Sequence, residues 1–433
     1  MHSNSIYDIV QRDQHRITAL RKGTNVPIDG RELCSAELVA IARNNCIAIV
    51  HEDGVLSRLQ DSVGLMEGKA ASETVYGLNT GFGGNADTRP CDQYALAKSL
   101  LQTLQSGVLL ARDRGESSAF YPDVSASNAM PSSWVRAITA TRINQCIRGH
   151  SAIPRNTIDM LLNLRDLMPL AYLAGLVEGS PAVYATVGVG DAQRVVSAKE
   201  AIAECGLIPL TLGPREALGI VNGTAASAAV AALGTFDATR LAILSAGLTA
   251  LMAEAMSARV EWLDPFISDV RPHWGQREAS HIVRSMLEGS SLVSGLSNSM
   301  GSCRDELPTR PDGGLAQDRY TLRTAPQWLG PLYEDLALAY DQVSIELNST
   351  SDNPLTNLQT GRTYHNGNFQ AVSVTSATEK VRFSIQMMGK LLLAQCTEVI
   401  NHQMNHGLPP NLAADDPSHS FCLKGLDINM AAY

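Results

Sequence analysis

Four polar segments of this chain carry residue types that could do chemistry. The first, Tyr76-Gly-Leu-Asn-Thr-Gly-Phe-Gly-Gly-Asn-Ala-Asp-Thr-Arg89, sets a phenol at the head of a run containing Gly77, Gly81, Gly83 and Gly84. Glycines at that density let backbone turn tightly and approach a ligand. The run has neither the Gly-Lys-Ser/Thr ending nor the strand-to-helix setting of a phosphate loop. In the second segment, Asn222-Gly-Thr224 opens an apolar helix, and capping alone would explain Thr224. The third, Gln317-Asp-Arg-Tyr320-Thr-Leu-Arg323, spaces a tyrosine and an arginine three apart. That spacing could set both on one helical or turn face, an acid/base hydroxyl beside a carboxylate clamp. The fourth is a pair of polar turns, Thr350-Ser-Asp-Asn353-Pro-Leu and His365-Asn-Gly-Asn-Phe369-Gln. Each segment taken singly reads as an ordinary turn or cap.

Composition narrows the classes. The chain has 433 residues, with 34 Lys plus Arg against 43 Asp plus Glu, and 45% of residues are apolar. A length of this kind allows about three domains, or one helical superdomain. The acidic balance and the lack of a Lys/Arg cluster argue against nucleic acid as partner. The 8 cysteines are scattered without CxxC spacing, which suits free thiols in a reducing, cytoplasmic setting better than zinc or a disulfide framework. His402 and His406 stand four apart, but no base or third ligand accompanies them, so a helix-surface pair is expected and no metal. The N-terminus lacks the apolar core of a secretory signal. Ala217–Phe236 is uncharged and reaches spanning length, yet Asn222, Gly223, Thr224 and Ser227 interrupt it. It reads as the start of a buried helix, and no membrane association is expected.

The elements that would position these segments are long helices. In residues 371–400, Ala377, Val381, Ile385, Met388, Leu392, Cys396 and Val399 recur at three- and four-residue steps, and neighbouring apolar residues widen the stripe until the helix looks buried on most sides. Ala225–Met256 reads as a second central helix, and a third runs from about Leu332 to Leu347, stopping before the turn at 349–354. Pro209-Leu-Thr-Leu-Gly and Thr363-Tyr-His are at most short hairpin pieces, and Ser290–Asp318 reads as a long surface loop. The expected class is all-α: a bundle of long antiparallel helices behind a loop-rich N-terminal region. The expected organisation is an extension over 1–30, a loop-rich and helical active-site region over 31–210, and a long-helix bundle over 211–433.

As a set, and in this order, the segments resemble the aromatic amino acid lyase family of phenylalanine, tyrosine and histidine ammonia-lyases and related aminomutases. The resemblance also rests on GHSAI, DLMPLAYLAGL, GPREALGIVNGTA, QDRYTLRTAPQWLGP, TSDNPL, HNGNFQA and LAADDPSHSFCLKGLDI, and is nearest to the fungal phenylalanine ammonia-lyases. It implies long helices in a homotetramer, with active sites drawn from three subunits. It also implies a methylidene-imidazolone electrophile, made from an internal Ala-Ser-Gly, that turns the substrate amine into a leaving group. By motif, Tyr76 would remove the β-proton; a free tyrosine titrates near about pH 10, so it would need nearby positive charge or helix dipoles. Arg323 would hold the substrate carboxylate. Tyr320, Asn222, Gln317 and Asn353 would hold prosthetic group and substrate, with Phe369 and Lys424 beside them. Thr103 and Leu104 align with the pair that reads the substrate ring.

The sequence departs from that pattern. No Ala-Ser-Gly occurs anywhere in it: the chain passes from Ile158–Arg165 straight into Asp166-Leu-Met-Pro-Leu-Ala-Tyr172. The expected prosthetic group is therefore none. Relatives are also expected to continue beyond GLDINMAAY, through helices bearing a further Glu and Gln. Three readings stay open: a lyase whose loop and C-terminal part are missing from this sequence alone; a repurposed pocket doing proton transfer, elimination or cyclisation on an aromatic or polyketide-like molecule; and a non-catalytic subunit paired with a full-length relative. The nominal reaction is deamination of L-phenylalanine to trans-cinnamate and ammonia.

Overall fold

A computed structural model describes residues 5–50, 54–105, 130–164, 170–181, 183–187, 194–213, 215–295 and 317–432. The junction at 165–166 and most of the loop expected over 290–318 fall outside the described residues. In chain order the elements begin with helix α1 (Ile6–Ala19), strand β1 (Asn25–Ile28), α2 (Ser35–Arg43), β2 (Ile47–Val50), α3 (Val55–Ala70) and α4 (Gln93–Gln105). Then come α5 (Ser132–Cys146), α6 (Arg155–Asn163), α7 (Leu170–Val177), β3 (Tyr184–Val187), β4 (Arg194–Ser197), α8 (Ala198–Glu204) and α9 (Glu216–Val221). Next are α10 (Ala225–Ala255), α11 (Pro265–Asp269), α12 (Trp274–Met286), α13 (Tyr320–Arg323) and α14 (Ala325–Leu347). The series closes with β5 (Leu355–Asn357), β6 (Arg362–Tyr364), α15 (Val372–Ile400) and α16 (Leu426–Ala432). The strands form three two-stranded ribbons, β1–β2 parallel and β3–β4 and β5–β6 antiparallel, so the class is all-α as the sequence implies.

The chain divides into two compact units. One gathers residues 1–12, 234–340 and 376–433; the other gathers 13–233 and 341–375. They are called the bundle unit and the loop unit here, and each is built around its own apolar interior.

In the loop unit α5 is the central rod. Every residue from Ala137 to Cys146 is buried, including Thr139, Thr141, Arg142, Asn144 and Gln145. Polar groups so placed must find partners, and they stitch the helix to the segment at 346–351. Asn144 Nδ2 donates to Leu347 O at 3.0 Å, and Gln145 Nε2 to Glu346 O at 3.2 Å. Arg148, just beyond, reaches Asn348 O at 2.8 Å and Thr350 Oγ1 at 2.9 Å.

In the bundle unit α15 buries one stripe at three- and four-residue steps: Ala377, Val381, Ser384, Met388, Leu391, Gln395 and Glu398. The expected burial on most sides is not found, because Phe383 and Ile385 lie on the outer face, 45% and 42% exposed. Helix α14 begins seven residues before its expected start. Pro331, which reads as a stop, sits inside it, and the buried Leu329, Leu332, Tyr333 and Leu336 hold the turns around it in place. Tyr333 donates its hydroxyl to Ala242 O at 3.0 Å.

The apolar stretch Glu216–Ala255 is long and apolar enough to cross a membrane, with 61% of its most apolar window buried inside the protein. Asn222–Thr224 breaks it into α9 and α10. The pair His402 and His406 is not on a helix surface: α15 ends at Ile400 and both fall in the following turns. Asn401 and Asn405 make that ending, Asn401 Oδ1 accepting the Gln403 N–H at 3.0 Å and Asn405 Nδ2 donating to Val399 O at 2.9 Å.

Candidate active site

The glycine-rich turn of the loop unit is anchored from below. Val75 and Leu78 join Met66 and Ala152 in a buried apolar cluster, which leaves Tyr76 between them half-buried. Gly77 has φ +67°, and a Cβ there would lie 2.4 Å from Leu218 Cδ2 and 2.9 Å from Phe82 Cε1. Only glycine lets this turn settle against α9. A Cβ at Gly81 would meet Asn85 O at 2.3 Å, whereas Gly83 faces open space at φ +54°. The tight turn Gly83–Asn85 brings the Gly83 N–H to the Tyr76 phenolic oxygen at 3.0 Å. Phe82 meets the Tyr76 ring edge-on, centroids 6.3 Å apart. The phenolic oxygen thus accepts from backbone, and its own O–H stays available to a ligand.

From Tyr76 a chain of hydrogen bonds runs through the two polar turns. The Tyr76 N–H donates to His365 Nε2 at 3.2 Å. The next residue, Asn366, donates its N–H to Asn353 Oδ1 at 2.9 Å. The Asn353 N–H donates to Asp352 Oδ1 at 2.7 Å, and the same oxygen accepts from Asn222 Nδ2 at 2.9 Å. Asn222 caps the C-terminus of α9, whose Leu218 lies against Gly77. The Tyr76 backbone, Asn353 and Asn222, separated by up to 277 positions, therefore lie along one run of hydrogen bonds and chain links, whose ends meet in the apolar approach of Leu218 to Gly77.

A buried layer supports it. Arg142 reaches the Gly219 carbonyl, Ser351 Oγ donates to Gln145 Oε1 at 2.8 Å, and the Thr224 N–H donates to Ser351 Oγ at 3.0 Å. Glu346 accepts from the Thr224 hydroxyl and, at 3.1 Å, from Ser373 Oγ. Gly223, at φ +123°, leaves no room for a side chain: a Cβ would lie 2.2 Å from Ser351 O. Two members of this machinery, Asp352 and Arg215, were not among the residues the sequence singles out. Their opposite charges inside adjoining polar motifs were the only available signal.

Other candidates of the loop unit stand outside this run. Phe369 is 44% exposed, and Thr103 and Leu104 are exposed near the end of α4, with Thr103 Oγ1 donating to Ser99 O at 3.0 Å.

The bundle unit carries the Tyr320–Arg323 pair on α13. The Arg323 guanidinium lies over the Tyr320 ring, 5.7 Å from its centroid, and makes no ion pair among the described residues. The short helix is gripped through the residue between them: Thr321 donates its hydroxyl to Glu398, and Gln395 Nε2 donates to Thr321 O at 3.2 Å. Asp318 fixes the approach, accepting from the Arg259 N–H at 3.0 Å and Trp262 Nε1 at 2.8 Å. Desolvation raises the Glu398 carboxyl above its ordinary range, more than Thr321 and Arg319 pull it back. Gln317 and Lys424 are exposed, Lys424 Nζ resting over Phe421 at 4.8 Å. A cavity of about 860 Å³ opens beside α12, lined by Tyr7, Trp274, Glu278 and His281, and none of the sequence-predicted site residues lines it. Among the described residues no group of three His, Cys, Asp or Glu side chains could hold a metal ion.

The family model described as aromatic amino acid lyase matches residues 33–165 and 165–433, two stretches that meet at residue 165. The chain is 54% identical over 437 residues to a phenylalanine ammonia-lyase of Cochliobolus lunatus and, equally, to one of a Phoma species, covering 96% of this chain and 60% of each relative. The crystal structure of phenylalanine ammonia-lyase from Rhodosporidium toruloides superposes with a TM-score of 0.83 at 34% identity, over 100% of this chain and 62% of that one. Tyrosine aminomutase from Streptomyces globisporus shares the fold, with a TM-score of 0.80 at 24% identity. This chain belongs to the aromatic amino acid lyase family, and spans about three-fifths of the length of these phenylalanine ammonia-lyases.

Proposed function

We propose that this protein holds an aromatic amino acid of the L-phenylalanine kind, with Tyr76 as the base toward its β-carbon. Its nominal reaction is then non-oxidative deamination to trans-cinnamate and ammonia. The observation that supports this reading is the run of hydrogen bonds joining the Tyr76, Asn353 and Asn222 turns, in a chain 54% identical to a relative named phenylalanine ammonia-lyase. On the bundle unit, Arg323 has no ion pair among the described residues, and its planar guanidinium is a group suited to a carboxylate.

In this reaction the β-proton passes to the Tyr76 oxygen and the C–N electron pair leaves with the amine, so a double bond forms between the α- and β-carbons. An unassisted amine is a poor leaving group. The family's methylidene-imidazolone supplies the missing electrophile, but its Ala-Ser-Gly precursor does not occur in this sequence. The residues present therefore do not fit that group.

The family match falls in two stretches that meet at residue 165 and no Ala-Ser-Gly occurs in the sequence, which favours a second reading. Here the pocket binds an aromatic or polyketide-like ligand, alone or within a mixed oligomer with a full-length relative, and does not deaminate it. Self-association, as a tetramer, is part of the proposal. It is supported by Leu241, Leu244, Leu248 and Leu251, which leave an apolar stripe exposed along α10.

Three measurements on the purified chain separate the readings: absorbance of the conjugated product on incubation with L-phenylalanine, calorimetric binding of the same compound, and intact mass. Product formation with a mass two waters below the sequence value establishes the nominal reaction. Binding without turnover at unshifted mass establishes the second reading. Neither binding nor turnover removes the pocket from both.

A further inference from the structure

Arg215 and Asp352 form an ion pair almost wholly removed from water, Nη2 to Oδ2 at 2.6 Å with side chains 1% and 0% exposed. Arg215 also donates to Asn353 O at 3.1 Å and Pro354 O at 3.0 Å. Burying two charges is costly, and apolar residues of similar volume commonly do as well for stability. The geometry shows what else the pair can do. The second carboxylate oxygen, Asp352 Oδ1, accepts from Asn222 Nδ2 at 2.9 Å.

An ionised carboxylate has no proton to give. Asn222 must therefore turn its NH2 group toward Asp352, and its Oδ1 is left as the acceptor end of the amide. That oxygen has no hydrogen-bond partner among the described residues. Arg215 holds the Asp352 carboxylate in place through Oδ2, so the orientation of the Asn222 amide at Oδ1 follows from the buried pair.

We propose that Asp352 is a positioning residue that makes Asn222 an obligate acceptor, and that the acceptor reads an N–H of the ligand's amino group. The proposal rests on the reading that an aromatic amino acid binds at these turns. It predicts discrimination between an amine-bearing ligand and its deaminated counterpart, which has no N–H to offer.

Asp352→Asn reverses the polarity. With its oxygen kept toward Arg215, the new amide presents NH2 to Asn222, whose own amide must flip and offer a donor instead. The double variant Asn222→Asp/Asp352→Asn restores an acceptor end.

Calorimetry should show L-phenylalanine weakened about tenfold by Asp352→Asn, the scale of one charge-assisted hydrogen bond. Binding of trans-cinnamate should be unchanged within about twofold, and the double variant should recover the phenylalanine affinity. Equal losses for both ligands, or no loss for either, would overturn the proposal.

The side-chain amide resonances of Asn222 in protein labelled with 15N-asparagine, assigned by their absence in Asn222→Ala, give a readout that needs no ligand. Slowed exchange of that NH2 group in the wild type is expected, and its loss in Asp352→Asn. If the wild type binds neither compound, the functional reading fails and this measurement alone decides the polarity. If Asp352→Asn does not fold, the wild-type resonances decide it: an unprotected Asn222 amide refutes the proposal.

Discussion

The backbone N–H of Tyr76 donates to Nε2 of His365 at 3.2 Å, joining two loops 289 residues apart. In this bond the imidazole Nε2 is the acceptor. The imidazole is exposed, so its removal should cost little stability while loosening the turn that aims the phenol. His365→Ala should weaken L-phenylalanine binding roughly three- to tenfold, the scale of one hydrogen bond's positioning. Calorimetric titration beside a thermal scan checks this, and a fall of many degrees in Tm would show a structural role instead.

Gly77 and Gly83 make a controlled pair. Both have positive φ, but a Cβ at Gly77 runs into Leu218 and Phe82, while one at Gly83 meets nothing. Gly83→Ala should cost about 1 kcal/mol for the backbone conformation alone. Gly77→Ala adds overpacking against α9 and should cost about 2–4 kcal/mol in total. Denaturant unfolding of the two variants measures the difference, and equal costs would mean that the turn does not bear on α9.

The long helices were legible because their apolar repeats are local: α10 and α15 begin and end within a residue or so of the expected limits. Thr363 and Tyr364 do lie in β6, but Pro209–Gly213 forms no strand; the Leu210 N–H bonds instead to Val177 O at 3.0 Å. The β1–β2 ribbon could not be read, because four-residue strands pair only across an intervening helix. In the site, Tyr76, Asn222 and Asn353 could be named from motif. The Arg215–Asp352 pair could not, because it forms across 137 positions and no local spacing reports it. The exposure of Leu241, Leu244, Leu248 and Leu251 could not be read either, because leucines on an exposed face of α10 look the same in sequence as core leucines.

That stripe sets a prediction about assembly. Leu244 and Leu251 are 54% and 61% exposed, two helical turns apart on one face. Replacing both by arginine places charge where an apolar contact would form, without touching the buried side of α10. Light scattering should then show a lower mass than the wild-type oligomer, with Tm of the isolated chain unchanged within about 2 °C. A wild type that is already monomeric at micromolar concentration would remove the self-association reading.

Glu398 gives a pH dependence with a definite sign. It sits in the buried stripe of α15, holds the Thr321 hydroxyl, and is raised above the ordinary 4.5 chiefly by desolvation. Between the unfolded and folded values the folded state binds more protons, so stability falls as pH rises through that window. The favourable contribution is complete below about pH 4.5 and lost once pH exceeds the raised value. Glu398→Gln keeps an acceptor oxygen for Thr321 and removes the titration. The variant should therefore gain stability relative to wild type near pH 8 and lose that advantage near pH 4, as thermal unfolding at about those two values will show. A constant offset between the two proteins at both pH values would mean that Glu398 stays ionised throughout, held by Arg319 and Thr321 more strongly than desolvation opposes.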